Sequence, residues 1–449
     1  MLGFLILVWI CIFLLFLFIQ ILRPKNFPPG PRPLPLFVNL LELNISNPLK
    51  DFERLADRYG KVYSLFLGSK PWVVLNSFEV FKEALLTKAV NFAGRPQDLM
   101  ANKWHLHIIA DVILSDYGPS WKEHRRFALM TLRNFGLGRQ SMEERILGEV
   151  SHVIAKLGKK SSFDPQTMFH NAASYHLLLF GSRYDYDDEF LKLFIHLYTE
   201  NAKFANGPWA LVRHFISLKH FNFVFYFVFF IVQIKGSGLY DIKFKNEYPF
   251  FILYIKMLQC LNLILTPLNL NKHGLVFSPA KCQKEIDEVL EGKDHASYED
   301  RHNMPYTLAV IHEVQRVANT VPLSVFHCTT KDIELMGYRT FVIPNLTSVL
   351  KEEGQWKFPH EFNPANFLNE QGQFEKPEAF MAFSAGRRVC LVEGLARMEL
   401  FLIMVTLLRR FQFVWPDDAG EPDYTPVYGI TMTPKPYRMH IRRRETVRF

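Results

Sequence analysis

Cys390 closes the run Phe383-Ser384-Ala385-Gly386-Arg387-Arg388-Val389-Cys390. A thiol at the end of a glycine-containing, cationic loop, with a helical pattern starting directly after it, is exposed to a helix N-terminal dipole and to guanidinium groups. Both favour the thiolate. A thiolate of low pKa is a nucleophile or a metal ligand. A nucleophile calls for a partner base in a hydrolase-like arrangement, and none is legible in the chain. A buried structural cysteine is the default for a lone Cys, but the surrounding loop weighs against it. Two other constellations share a helix face. In Glu313-Val314-Gln315-Arg316 an acid and a base stand at i and i+3; buried together they need further partners. In Trp121-Lys122-Glu123-His124-Arg125 one turn brings an indole N–H and a guanidinium side by side, although alone the pair reads equally well as surface residues. His327, on a strand-like stretch, reads in isolation as a structural histidine.

The elements that must position these residues follow from periodicity and turn residues. Residues 61–67 and 72–75 are strand-like, joined by Gly68-Ser69-Lys70-Pro71. Helical patterning covers 121–157, 187–203, 281–290 and 307–317. Residues 323–343 read as strands with turns, 359–383 as loop, 391–411 as a long helix with an apolar stripe, and 424–444 as turns with a β-hairpin. Residues 215–280 differ: Phe221-Asn222-Phe223-Val224-Phe225-Tyr226-Phe227-Val228-Phe229-Phe230 is apolar on both alternating faces, and 249–270 is a second apolar run. Neither shows a helical stripe with a polar back, and there are no internal repeats.

The 449 residues, 49% hydrophobic and 21% charged, suit a packed globular body. The formal charge of +8 is dispersed rather than run together, and no nucleic-acid module signature is present, so an anionic lipid surface or an acidic protein is the better partner. The five cysteines are widely spaced, with no CxxC pattern, which argues against a zinc site and a disulfide framework and for a reducing compartment. Residues 2–21 form a nearly unbroken apolar run of membrane-spanning length, followed at once by Arg23 and Lys25. With no basic stretch before the run and no small-residue cleavage site after it, this reads as an uncleaved anchor with the body on the cytoplasmic side. The proline-dense segment Phe27-Pro28-Pro29-Gly30-Pro31-Arg32-Pro33-Leu34-Pro35 is a stiff spacer. The expected organisation is an anchor over 1–22, a hinge over 23–36 and a catalytic domain over 37–449 that contains the atypical 215–280 segment.

Phe383, Gly386, Arg388 and Cys390 resemble the haem-binding loop of the cytochromes P-450. Glu313 and Arg316 resemble that family's ExxR pair and Trp121 with Arg125 its WxxxR helix; His327, shortly after Pro322, matches a further position. The likeness covers roughly 1–215 and 280–449. The anchor and proline hinge are similar to those of the microsomal type. Leu132-Arg133-Asn134-Phe135-Gly136 and Asn206-Gly207-Pro208-Trp209 resemble vertebrate family-2 enzymes, especially the arachidonate-epoxygenase-like subgroup. The resemblance implies a mainly α fold with a small β domain, haem b as cofactor and Cys390 as the iron ligand. It further implies that Trp121, Arg125, His327 and Arg388 hold the propionates while Glu313 and Arg316 brace the proximal side, with residues 362–367, in the family's meander loop, supplying their further partners. It implies monooxygenation of small apolar substrates such as xenobiotics and fatty acids. NADPH-derived electrons would come from a flavoprotein reductase, with a small haem protein as a second donor, at the endoplasmic reticulum membrane.

The chain also departs from that pattern. Val392 stands where the family has glycine, and added bulk at a tight contact costs ~1–3 kcal/mol. No Gly-acid-Thr stretch, the family's oxygen-activating feature, occurs between 215 and 282. Residues 337–345 are shortened, and Asn366 replaces a basic residue. An altered splice product or a gene-model error explains the central segment equally well. The alternative expectation is therefore an impaired variant that binds haem weakly or not at all.

Overall fold

The structure is a computed structural model. It describes residues 27–34, 38–44, 47–67, 70–97, 112–113, 115–134, 140–159, 161–165, 278–330, 340–428 and 431–444, with isolated positions 15, 168 and 189. The expected anchor (Leu15 apart), the helix over 187–203 (Glu189 apart) and the segment 215–277 lie outside the described residues. No helix among the described residues is long and apolar enough to cross a membrane.

The chain opens with α1 (Leu49–Tyr59), ended by Gly60 at φ 95°, a conformation that a side chain disfavours. The hairpin β1 (Val62–Leu67) and β2 (Lys70–Leu75) follows. The expected strand pair is present, but Lys70 and Pro71 belong to the second strand, opposite Leu67 and Phe66, rather than to the turn. Helix α2 (Phe78–Lys82), capped by Ser77, widens into a π-turn over Glu83–Thr87. Then come α3 (Pro119–Asn134), α4 (Gln140–Leu157) and β3 (Ser162–Phe163). After the undescribed stretch, α5 (Pro279–Val289) starts from a Ser278 cap and α6 (Pro305–Ala318) from a proline in its first turn, where the missing N–H costs nothing. Next are β4 (His327–Cys328), β5 (Phe341–Pro344) and α7 (Leu346–Leu350). Residues 351–392 are loop with short 3-10 turns, leading into α8 (Glu393–Arg410), β6 (Phe411–Val414) and β7 (Met439–Arg443).

Helices predominate over two small sheets, in the orders β1-β2-β5-β4 and β3-β7-β6. In the first sheet β2 runs parallel to β5 while the outer pairs are antiparallel. The hairpin expected within 424–444 reduces to a single bridge, Val427 to Thr433; β7 pairs instead with β6, which precedes that segment, and with β3. The expected apolar stripe on the 391–411 helix is also corrected. From Met398 to Val405 every residue of α8 is buried, Glu399 included. A helix buried all round needs no polar back. Together α4, α5, α6 and α8 enclose the largest core, centred on residues such as Ile146, Ile286, Ile311 and Phe401.

Candidate functional site

The loop leading into α8 is tightly constrained. Cys390 donates its N–H to the Phe383 carbonyl at 3.0 Å, and Val389 donates to Gly386 at 3.2 Å. Between these bonds Ser384 and Gly386 take φ of 62° and 71°. A Cβ on Gly386 would lie 1.8 Å from the Leu85 carbonyl oxygen, so only glycine lets the π-turn after α2 press its backbone onto the loop. Cys390 is a partly exposed thiol three residues ahead of α8, whereas Cys282 and Cys328 are buried.

Cations from two elements surround this loop. Arg125, from α3, acts electrostatically on Cys390, and its Nη2 donates to the Val389 carbonyl at 2.8 Å. Arg388 turns elsewhere. Its Nε donates to Ala93 at 2.8 Å, Nη2 to Ser115 at 2.7 Å and Nη1 to Val112 at 3.3 Å, and its guanidinium carbon lies 4.1 Å from the Trp121 ring centroid. Arg125 faces the same indole at 5.6 Å. Trp121 and Arg125 thus share a face of α3 as their spacing requires, but the indole N–H is bonded to the Val112 carbonyl at 2.8 Å. Burial lowers the Arg388 pKa to about 10, opposed by Asp116 and reinforced by Arg125.

His327 joins this cluster from β4. Its Nδ1–H donates to the Phe92 carbonyl at 2.6 Å, and burial, with the charges of Arg95 and Arg388, holds the ring neutral. Arg95 is the residue that sequence reasoning missed. It is 4% exposed, and its Nε donates to Ile113 and its Nη1 to Val325 and Phe326. Burial and the Arg388 charge press its proton affinity down. The signal was Phe92-Ala93-Gly94-Arg95-Pro96: a Cβ on Gly94 would meet the Cys328 oxygen at 2.6 Å, so the glycine lets this loop close on β4.

Trp121, Arg125, His327, Arg388, Phe383, Gly386 and Cys390 therefore gather in one region, with Arg95 among them. Glu313 and Arg316 form a separate centre. They are joined through two contacts, Nε to Oε2 at 2.7 Å and Nη2 to Oε1 at 2.8 Å, and both are at most 1% exposed. The remaining Arg316 donors reach the carbonyls of Leu350, Phe358, Pro359 and Glu361. Glu313 also accepts from Asn363 N at 2.7 Å and Asn366 Nδ2 at 3.1 Å. Burial pushes the Glu313 carboxyl up, and Arg316 and the two asparagines pull it back. The expectation that 362–367 would supply partners holds, and Asn366 fills its position as a neutral donor.

A cytochrome P450 family model matches residues 28–229 and 278–441. The match reaches past the 215 boundary read from the sequence, and the unmatched stretch, 230–277, falls within the 215–280 segment. Cytochrome P450 2K4 of Oncorhynchus mykiss is 37% identical over 467 residues, covering 92% of this chain and 91% of that protein. Cytochrome P450 2D3 of Rattus norvegicus is 34% identical over 477 residues, 92% of each chain, and cytochrome P450 2C29 of Mus musculus is 35% identical over 479 residues, 96% of each. These comparisons lend no support to the impaired-variant alternative. With its loop, its buried Glu–Arg pair and a match over most of its length, the chain belongs to the cytochrome P450 family of haem b monooxygenases.

Proposed function

We propose that in this chain Cys390 ligates the haem iron, that Trp121, Arg125, His327 and Arg388, together with Arg95, hold the propionates, and that the protein oxygenates small apolar substrates. One observation carries the reading. Arg95, Arg388 and Arg125 lie around Trp121 and His327, with hydrogen bonds to neutral carbonyls, beside a partly exposed thiol whose backbone is pinned. Arg95 and Arg388 are buried, Arg125 is partly so, and Asp116 is the carboxylate whose charge acts on Arg388, so the three guanidiniums leave an excess of positive charge that favours an anion. Two carboxylates would replace carbonyl acceptors with stronger charge-assisted bonds. The donor set fits the cofactor. Bound there, haem supplies an oxygen-binding iron to which a thiolate donates electron density that favours O–O cleavage.

The chain's own residues do the rest. The Phe383 carbonyl orients the Cys390 backbone, and Arg125 places positive charge near its sulfur. His327 has its Nδ1–H committed to Phe92, so a bond donated from Nε2 requires the imidazolium. Residues 2–21 anchor the body at the endoplasmic reticulum membrane, as their unbroken hydrophobicity supports. The +8 charge supports docking of an acidic flavoprotein reductase, with a small haem protein as a second electron donor. Xenobiotics and fatty acids are the substrate class, by likeness to family-2 enzymes.

The test is haem content together with the ferrous carbon-monoxide spectrum of the wild type and of Cys390→Ala. A red-shifted thiolate-type band in the wild type alone supports the assignment. A colourless wild type, or the same band in both proteins, removes it. The unmatched 230–277 stretch favours a second reading: haem chemistry without reductase-driven oxygen activation, as in an isomerase or peroxide user. Turnover with peroxide but not with reductase and NADPH would select it.

A further inference from the structure

Between Phe383, whose carbonyl takes the Cys390 N–H, and the thiol itself, the backbone holds two residues at positive φ. Glycine adopts this region freely, but at Ser384 the conformation persists only where its surroundings over-determine it. Two restraints are evident: the Leu85 backbone against Gly386, and the Arg388 side chain fastened to Ala93 and Ser115. Near the Phe383 end lies Arg397, on the second turn of α8. Its guanidinium carbon lies 5.7 Å from the Phe383 ring centroid and 5.8 Å from that of Phe380. One turn back along the helix, Glu393 Oε1 is 2.5 Å from Arg397 Nη2. The side chain is 20% exposed, and its Nε is buried without a hydrogen-bond partner. The same charge acts on His312, whose ring lies 5.3 Å from Phe380. The guanidinium is thus anchored at Nη2 by Glu393 and lies near two phenyl rings, while its buried Nε–H has no hydrogen-bond partner.

We infer that Arg397 is a positioning residue for Cys390: tied to Glu393, it holds Phe380 and Phe383 against the start of α8 and so fixes the carbonyl from which the Cys390 backbone hangs. The inference rests on the reading of Cys390 as iron ligand and assigns no contact between Arg397 and the iron. It is tested on the full chain, loaded with haem, by the share of ferrous carbon-monoxide complex in the thiolate-type band against the neutral-thiol band. Arg397→Met should lower that share at least twofold, Arg397→Lys should recover part of the loss, and Glu393→Gln, which releases the tie, should fall between. An unchanged share in Arg397→Met overturns the inference. Should Arg397→Met take up no haem, Glu393→Gln decides: a lowered share supports the inference and an unchanged one overturns it. A wild type with no thiolate-type band sinks the Cys390 reading itself, and this one with it.

Discussion

Arg388 and Arg95 show how much depends on where a single side chain turns. The two are buried, and the charge of one lowers the proton affinity of the other. Their hydrogen bonds to carbonyls satisfy the N–H groups without neutralising the charge. Val392, the residue two beyond the thiol, poses the opposite problem. It is 2% exposed and has φ −127°, a conformation open to any residue, so the backbone there does not demand glycine. Whatever Val392 costs comes from its isopropyl group. Val392→Gly should raise haem bound per polypeptide, measured by the pyridine haemochrome, with little helix penalty because glycine is accepted at an N-cap. Equal occupancy in the two proteins would discard the steric account.

At the scale of elements, α6 joins the Glu313–Arg316 centre to the loop ahead of Cys390. His312, beside Glu313, donates from Nδ1 to the Leu308 carbonyl at 2.8 Å. Its ring packs on Phe367, Phe374 and Phe380 at 5.5, 4.6 and 5.3 Å. Burial, with the Arg397 and Lys376 charges, pushes its pKa down to about 3, and the bond to Leu308 opposes this. An unfolded histidine titrates near ~6.5. Between these values the unfolded chain binds the extra proton, so the stabilising effect of a neutral His312 is present above ~6.5 and is lost as pH falls toward 3. Its limiting slope is ~1.4 kcal/mol per pH unit. His312→Phe should therefore flatten the fall in urea midpoint between pH 6.5 and pH 4.5, leaving the part due to His327, which is also held neutral. Parallel curves for the two proteins would show that His312 does not carry that proton.

At the scale of the whole molecule, the excess of eight positive charges governs encounter rather than fold. If an acidic reductase docks by electrostatic attraction, raising ionic strength from ~0.1 M to ~1 M shrinks the screening length from about 10 Å to about 3 Å. The rate of reduction by the reductase at subsaturating concentration should then fall by roughly tenfold or more. A rate independent of salt would leave the docking face to apolar contact.

Several features were legible because they depend on neighbours along the chain. The helices over 279–289 and 305–318, the first hairpin and the facing of Trp121 and Arg125 follow from i+3, i+4 and i+2 spacing, which fixes which side chains share a face. The thiol loop was legible from its own residues, a glycine and two arginines directly before a helical pattern, whereas the closeness of Gly386 to Leu85 appears only on folding. What spacing cannot encode is the partner from a distant segment. The pairing of β7 with β6 rather than within its own tail, the burial of every residue from Met398 to Val405 and the fastening of Arg388 to Ala93, Val112 and Ser115 are decided by elements brought together only on folding. Arg95 belongs to that group: 293 positions before Arg388 in the sequence, it enters the site because β4, α3 and the loop before α8 close around it.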